Sequence, residues 1–429
     1  MTQSSSVPRL ALLGRGLFFA GGFLMLTGDW PQTTLLPTRW SVPLDCLAWP
    51  WLYLALFYVA FIVLMATGWL RVAQRTTADF LYLPIGVLTA TFLLSVIFSL
   101  VPSLSAFAFG CLLAVAGFSL AAARIVQDET ALVGTSRVIA VAALFLGLRV
   151  IAWRAVEGLS IPAYHVGNNA WLGKIQIAWV LNLLAPLMLA RSLAERTVRA
   201  AVIYGVAWLV SGVAIYVLLS KAGLVTFVVT TLGLCLANPY YWRRWLPPVV
   251  GIAILVLGLV TISGGMPKPV VASLMRPDQD AGVVMRYAVW QQTARIIVDH
   301  PITGIGLGTY DDVAYSYGRP ADPAFFQHGW HAHNLFLHVW AETGTLGFLA
   351  WCYFWLTIVR FLLRRWRAGD TLGRLNSTAA LCVLLAFFVL SMTEAMIAAR
   401  VHASLRMNLT LALLVVYGIR LAGPTRSTA

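Results

Sequence analysis

Charge is what this chain has least of. Only 11% of its 429 residues are charged, while 60% are hydrophobic. A soluble domain carries about a quarter charged residues, so this shortage excludes an ordinary water-soluble fold. Lysine is scarcest of all: of 30 basic residues only Lys174, Lys221 and Lys268 are lysine. Arginine grips planar anions in a bidentate fork, a bias that suits diphosphate or anionic lipid, although a GC-rich genome produces the same bias. Cysteine is sparse too. Cys46, Cys111, Cys235, Cys352 and Cys382 form no C-x-x-C pair and mostly lie in apolar runs, as packing residues do. No internal repeat, low-complexity segment or small-residue cleavage site after the first apolar run is visible, so that run is expected to stay as a helix.

What is abundant is apolar sequence in spanning lengths. Such stretches fall near 10–27, 48–70, 80–101, 104–123, 132–152, 175–193, 200–219, 221–237, 246–263, 334–359, 378–397 and 404–421. Inside a bilayer every backbone polar group must pair within its own segment. The expected fold is therefore an all-α polytopic membrane protein with about twelve transmembrane helices. Residues 1–263 would hold the first nine, 264–332 one long outer loop with helical segments, and 333–429 the last three.

The net charge of +14 does not point to nucleic acid, because the basic residues are spread over short connections. Alternate loops hold Arg71 and Arg75; Arg124; Arg191, Arg196 and Arg199; Arg243 and Arg244; and Arg360, Arg364, Arg365, Arg367 and Arg374. These are expected to be cytoplasmic, with both termini inside. All seven histidines then fall on the outer face or at its edge, as do Arg149, Arg154, Lys221, Arg276, Arg286 and Arg400. Cations on that face suggest either anion binding or contact with membrane lipid headgroups.

Chemistry-bearing residues concentrate between Arg286 and Ala350. Val283–Asp299 has helical periodicity and is expected to lie along the membrane surface as a lid. Gly304–Gly308 (GIGLG) lacks the flanking strand and helix of a dinucleotide loop, and reads as a tight reversal where backbone approaches membrane or substrate. His328, His331, His333 and His338, the Asp278–Gln279–Asp280 run and Asp311–Asp312 have no flanking geometry of a known metal site, so no metal or other cofactor is expected. Asn334, His338 and Glu342 recur every four residues on one face of an apolar helix. A Glu one turn from a His can hold its ring as a general base requires; alternatively the three are a polar stripe that packs helices together. Lys221 in a tight outer turn, Arg149 and Arg154 near a helix end, and Arg400 in the last outer turn either snorkel or grip an anion.

His333-Asn334, nine residues, then Gly344-x-x-Gly347 resembles the signature of the O-antigen ligase and polymerase superfamily. Arg286…Trp290…His300-Pro301…Gly304-Ile305-Gly306-Leu307-Gly308 resembles that family's long outer loop. The resemblance implies an inverting glycosyl transfer at the periplasmic face of a bacterial inner membrane. The implied donor is an undecaprenyl-diphosphate-linked glycan, and for a ligase the acceptor is lipid A–core; neither metal nor nucleotide is implied. By position the motif histidine is His333 and the loop arginine Arg286, while Lys221 stands where the family often has an arginine. As catalytic base the motif favours His333, and the helical face of Asn334 and Glu342 favours His338. Arg286, Lys221 and one of Arg149, Arg154, Arg276 or Arg400 would hold the diphosphate. Polymerase and protein oligosaccharyltransferase are the alternatives within the superfamily. A transporter of lipid-linked glycan would favour repeats and deeply placed charges, which this sequence lacks.

Overall fold

The computed structural model describes residues 6–27, 50–67, 76–127, 129–157, 170–241, 250, 281–317, 331–395 and 401–423, and among them no strand occurs. Thirteen α-helices follow one another among the described residues: α1 Ser6–Thr27, α2 Pro50–Ala66, α3 Tyr82–Ile97, α4 Pro102–Ile125, α5 Glu129–Glu157, α6 Ala170–Ala194, α7 Val198–Val217, α8 Lys221–Leu236, α9 Ala281–Asp299, α10 Tyr310–Ala314, α11 Leu335–Ala368, α12 Thr371–Ser391 and α13 Val401–Ala422. Nine of the described helices are long and apolar enough to cross a membrane, and the shorter Leu52–Ala66 and Lys221–Leu236 are apolar as well. Eleven of the twelve expected spans thus have a helix, and the one near 246–263 lies, apart from residue 250, outside the described residues. The chain is an all-helical polytopic membrane protein.

The helices alternate in direction, so the bundle has two chemically distinct ends. At one end Arg365 Nε donates to Ala422 O at 3.2 Å, Asn376 Nδ2 to Leu421 O at 3.1 Å, and Arg420 Nη2 to Gln127 O at 3.2 Å. At the other, buried Arg406 donates from Nε to Met25 O at 2.9 Å, the last turn of α1. Buried Arg154 likewise donates from Nε to Val217 O at 2.9 Å, where α7 ends. Each guanidinium there satisfies a carbonyl that has lost its intrahelical partner. The cap of α9, α10 and the loop between them sits at this second end. It has its own small core of Ile296, Ile305, Tyr310, Val313, Ala314, Ala332 and Ala341.

The cap is fastened to the bundle through a break in α11. Gly344 has φ 63° and ψ −173°, a conformation open only to glycine, so the helix loses its regular bonds from Thr345 and Leu346. Residues 301–306 replace them. Thr345 N donates to Pro301 O at 2.8 Å and Leu346 N to Ile302 O at 3.3 Å, while Ala341 O and Glu342 O accept from Ile305 N and Gly306 N, each at 3.0 Å. The side chain of Ser95 adds a bond to Glu342 O at 2.7 Å. Left unpaired in a low-dielectric interior, each such group would cost about 1–3 kcal/mol. The GIGLG stretch therefore approaches a broken helix, where the sequence suggested membrane or substrate.

Close approach also dictates glycine at the loop side of this seam. At Gly304 (φ +71°) an added Cβ would lie 2.4 Å from Glu342 C and O. Gly304→Ala should lose roughly 3 kcal/mol or more of stability from combined strain and overlap. Gly86→Ala, on α3 with no atom within 4 Å of the new carbon, should be neutral or stabilising by about 0.5–1 kcal/mol. Thermal unfolding in detergent checks both. Equal melting of the two variants would contradict the docked loop.

Candidate functional site

The site forms where three elements meet at the cap end. α9 carries Arg286, the segment before α11 carries His331 and His333, and the stretch just past α12 carries Glu394. Burial of Val289, Thr293 and Ile296 seats α9 in the cap, and Gln292 Nε2 donates to Ala314 O. This seating presents Arg286 to Glu394: Nη2 donates to Glu394 Oε1 at 3.0 Å, and Nε to Thr393 O at 3.3 Å. The second carboxylate oxygen, Oε2, receives His331 Nε2 at 3.0 Å and His333 Nδ1 at 3.1 Å. One buried carboxylate, 7% exposed, thus holds an arginine on one oxygen and two imidazoles on the other.

Proton positions at His333 follow from this arrangement. An ionised carboxylate only accepts, so His333 must carry its proton on Nδ1. Its Nε2 is left with a lone pair and makes no hydrogen bond among the described residues. Burial, aided by the nearby His331 and Arg286, holds the His333 pKa below its usual value against the pull of Glu394. Burial alone would raise Glu394, but the bonds from both histidines outweigh it and keep the carboxyl well below its usual range. The result is a neutral imidazole, oriented by an anion, at neutral pH. His333 also has φ +46°, a left-handed conformation uncommon for a non-glycine residue and more often tolerated by histidine than by bulky side chains.

Asn334 follows as the N-cap of α11, its Oδ1 accepting from Phe336 N at 3.0 Å and Leu337 N at 3.2 Å. It supports the site by starting the helix immediately after His333. His338 is 1% exposed, its Nδ1 accepting from Ala332 N at 3.3 Å and its ring lying 4.7 Å from that of Tyr310. Its Nε2 is 3.2 Å from Glu342 Oε1 but without hydrogen-bond alignment. Glu342 Oε1 instead accepts from Tyr310 N at 3.1 Å, joining α11 to α10. With Nδ1 occupied as an acceptor, His338 fixes the segment that carries His331 and His333.

The structure thus brings Arg286 and His333 together and seats His338 and Glu342 one turn deeper. Arg154 of α5 points to the end of α7, and half-buried Arg149 lies with it on α5. Lys221 is exposed in the first turn of α8, whose N-cap Ser220 accepts from Gly223 N. Arg276 and Arg400 lie outside the described residues. Sequence reasoning missed Glu394 and the part played by His331. The available signal was an acid inside the apolar run at 378–397, where ionisable residues call for a functional reading.

A cavity of about 680 Å³ lies between α3, α4, α11 and α13 and reaches His338 and Glu342. His338, Glu342, Asp311 and Asp312 line one part of it, and Phe92, Leu112, Val115 and Trp355 are among its apolar walls. Along α4 it reaches from Leu104 to Ser119, about 22 Å at helical rise.

Residues 206–352, about a third of the chain, match the family model described as O-Antigen ligase. The match takes in Lys221, Arg286, His331, His333 and the broken part of α11. No curated protein matches the chain.

Titration of the cluster should be visible in stability. His333 has a lowered folded pKa, so the unfolded chain binds more protons below about pH 6.5. Its stability contribution is complete above that pH and is lost as pH falls through the folded value. Glu394, also lowered, adds a further loss as pH drops below 4.5. Thermal melting against pH should therefore fall from about 6.5 downward, and His333→Gln should flatten the first part of that fall. An unchanged profile in the variant would show that His333 is not held neutral.

Proposed function

We propose that this chain, whose family match supports the O-antigen ligase superfamily, is an inverting glycosyltransferase of bacterial lipopolysaccharide maturation. It moves O-antigen glycan from undecaprenyl diphosphate to lipid A–core at the periplasmic face of the inner membrane. The arginine-rich end of the bundle and both termini are cytoplasmic on this reading, following the positive-inside bias. The observation that carries it is the Glu394 carboxylate, which holds His333 Nδ1 at 3.1 Å and Arg286 Nη2 at 3.0 Å.

The chemistry follows from those two contacts. The acceptor hydroxyl attacks the anomeric carbon of the donor sugar while its bond to the diphosphate oxygen breaks on the opposite side. The hydroxyl proton passes to His333 Nε2, which is unprotonated because Glu394 fixes the proton on Nδ1. Glu394 positions the ring and stabilises the imidazolium that forms. Arg286, a planar group with five donors, faces the charge that gathers on the departing diphosphate, where a low-dielectric setting strengthens the attraction. Lys221 and a further arginine complete the clamp. The apolar cavity along α4 accommodates a hydrocarbon chain of a lipid substrate. No metal or nucleotide takes part.

Purified protein given a polyprenyl-diphosphate glycan and lipid A–core, in EDTA, should place glycan on lipid A–core, resolved on a gel. A longer lipid-linked glycan in its place would identify a polymerase. Arg286→Ala and His333→Ala should abolish transfer with the protein still folded in membranes. Glu394→Gln should lower the rate by roughly two orders of magnitude or more, because the wrong imidazole tautomer becomes accessible. His338→Ala should act mainly through stability. Wild-type transfer by His333→Ala would end the assignment of the base.

A further inference from the structure

The same cluster has a second capacity. His331 Nε2, His333 Nδ1 and a Glu394 oxygen lie within 4.8 Å of one another. Two imidazoles and one carboxylate are a ligand set that Zn²⁺ takes while keeping a fourth position open. Ligands about 2.0–2.2 Å from a tetrahedral ion stand roughly 3.3–3.5 Å apart. The two N···O edges are already 3.0 and 3.1 Å, so each needs to widen by only a few tenths of an ångström. The rings lie 4.1 Å apart, tilted by 42°. Both imidazoles belong to one short segment, held by the α11 N-cap and by His338.

We propose that His331, His333 and Glu394 form an inhibitory Zn²⁺ site. The proposal rests on His333 being the base through Nε2. Zn²⁺ bound at Nδ1 takes that lone pair, so a neutral ring must carry its one proton on Nε2. The nitrogen that accepts the substrate proton becomes a donor. His331 changes in the opposite sense, releasing Nε2 to the ion and protonating Nδ1, so the two rings gain and lose no proton. Glu394 Oε2 passes from the imidazoles to the ion while Oε1 keeps Arg286. The nearby guanidinium repels Zn²⁺, which makes the ion a reversible occupant.

The site can be tested on resting protein. Co²⁺ serves as a spectroscopic probe for Zn²⁺, titrated into purified protein without any glycan. One equivalent should give the visible bands of four-coordinate Co²⁺, and Zn²⁺ should displace it. His331→Gln, checked for folding by thermal melting, should weaken binding roughly tenfold or more; if it does not fold, His331→Phe replaces it. In the transfer assay Zn²⁺ should then inhibit the wild type, EDTA should restore the rate, and the variant should need proportionally more Zn²⁺. No bound Co²⁺, or equal binding by the variant, overturns the site. Binding with an unchanged or higher rate overturns inhibition. If His333→Ala keeps full transfer, the base assignment fails, while the Co²⁺ titration still decides whether the site exists.

Discussion

Backbone hydrogen bonding across the broken α11 is the constraint on which the site depends. A helix interrupted within the bundle exposes carbonyl and amide groups that have no water to turn to. Here residues 301–306 supply the missing partners in sequence, with Pro301 O and Ile302 O accepting and Ile305 N and Gly306 N donating. The α3–α4 connection and the first turn of α4 grip the same loop from the other side, since Leu100 N donates to Ile305 O at 2.9 Å and Ser105 Oγ to Leu307 O at 2.9 Å. Cap and bundle are joined mainly by main-chain atoms, whose positions tolerate little drift. Precision of that kind is what the catalytic constellation proposed above, drawn from three distant segments, requires.

Glu394 adds an electrostatic joint to this mechanical one. A buried acid is costly unless its oxygens are satisfied, and here three cationic or potentially cationic side chains satisfy them. The arrangement fixes the tautomer of His333 and the orientation of Arg286 together. Residues from α9, the approach to α11 and the exit of α12 therefore share one electrostatic centre. His338 and Glu342 form a separate buried set below it, tied to Tyr310, whose hydroxyl is pushed upward by burial.

Sequence reading recovered the helices, and placed Arg286 and His333 in one region, because both rest on local signals. Apolar length marks a span, and Arg286, His333 and the two glycine groups stand close in the chain. Glu394 was hidden because it is 61 residues from His333, and helical periodicity reaches no further than its own helix. That periodicity paired His338 with Glu342, correctly as neighbours at 3.2 Å, yet it could not weigh them against a carboxylate arriving from another segment. Asn334 looked like the first member of a polar stripe; a helix beginning at Leu335 makes it a cap. The GIGLG stretch was legible as a close approach, but the backbone it meets lies nearly forty positions later, at Ala341 and Glu342.

The pairing of 301–306 with 341–346 also limits how such a chain can vary in length. One residue added inside either segment would shift four main-chain bonds at once and misplace the glycines that permit contact. Added residues between Tyr317 and His331 would leave every one of those bonds in register. Insertions in related sequences should accordingly spare both paired segments and gather between them. The length of that interval is thereby free to vary, while the anchor points stay numerically locked.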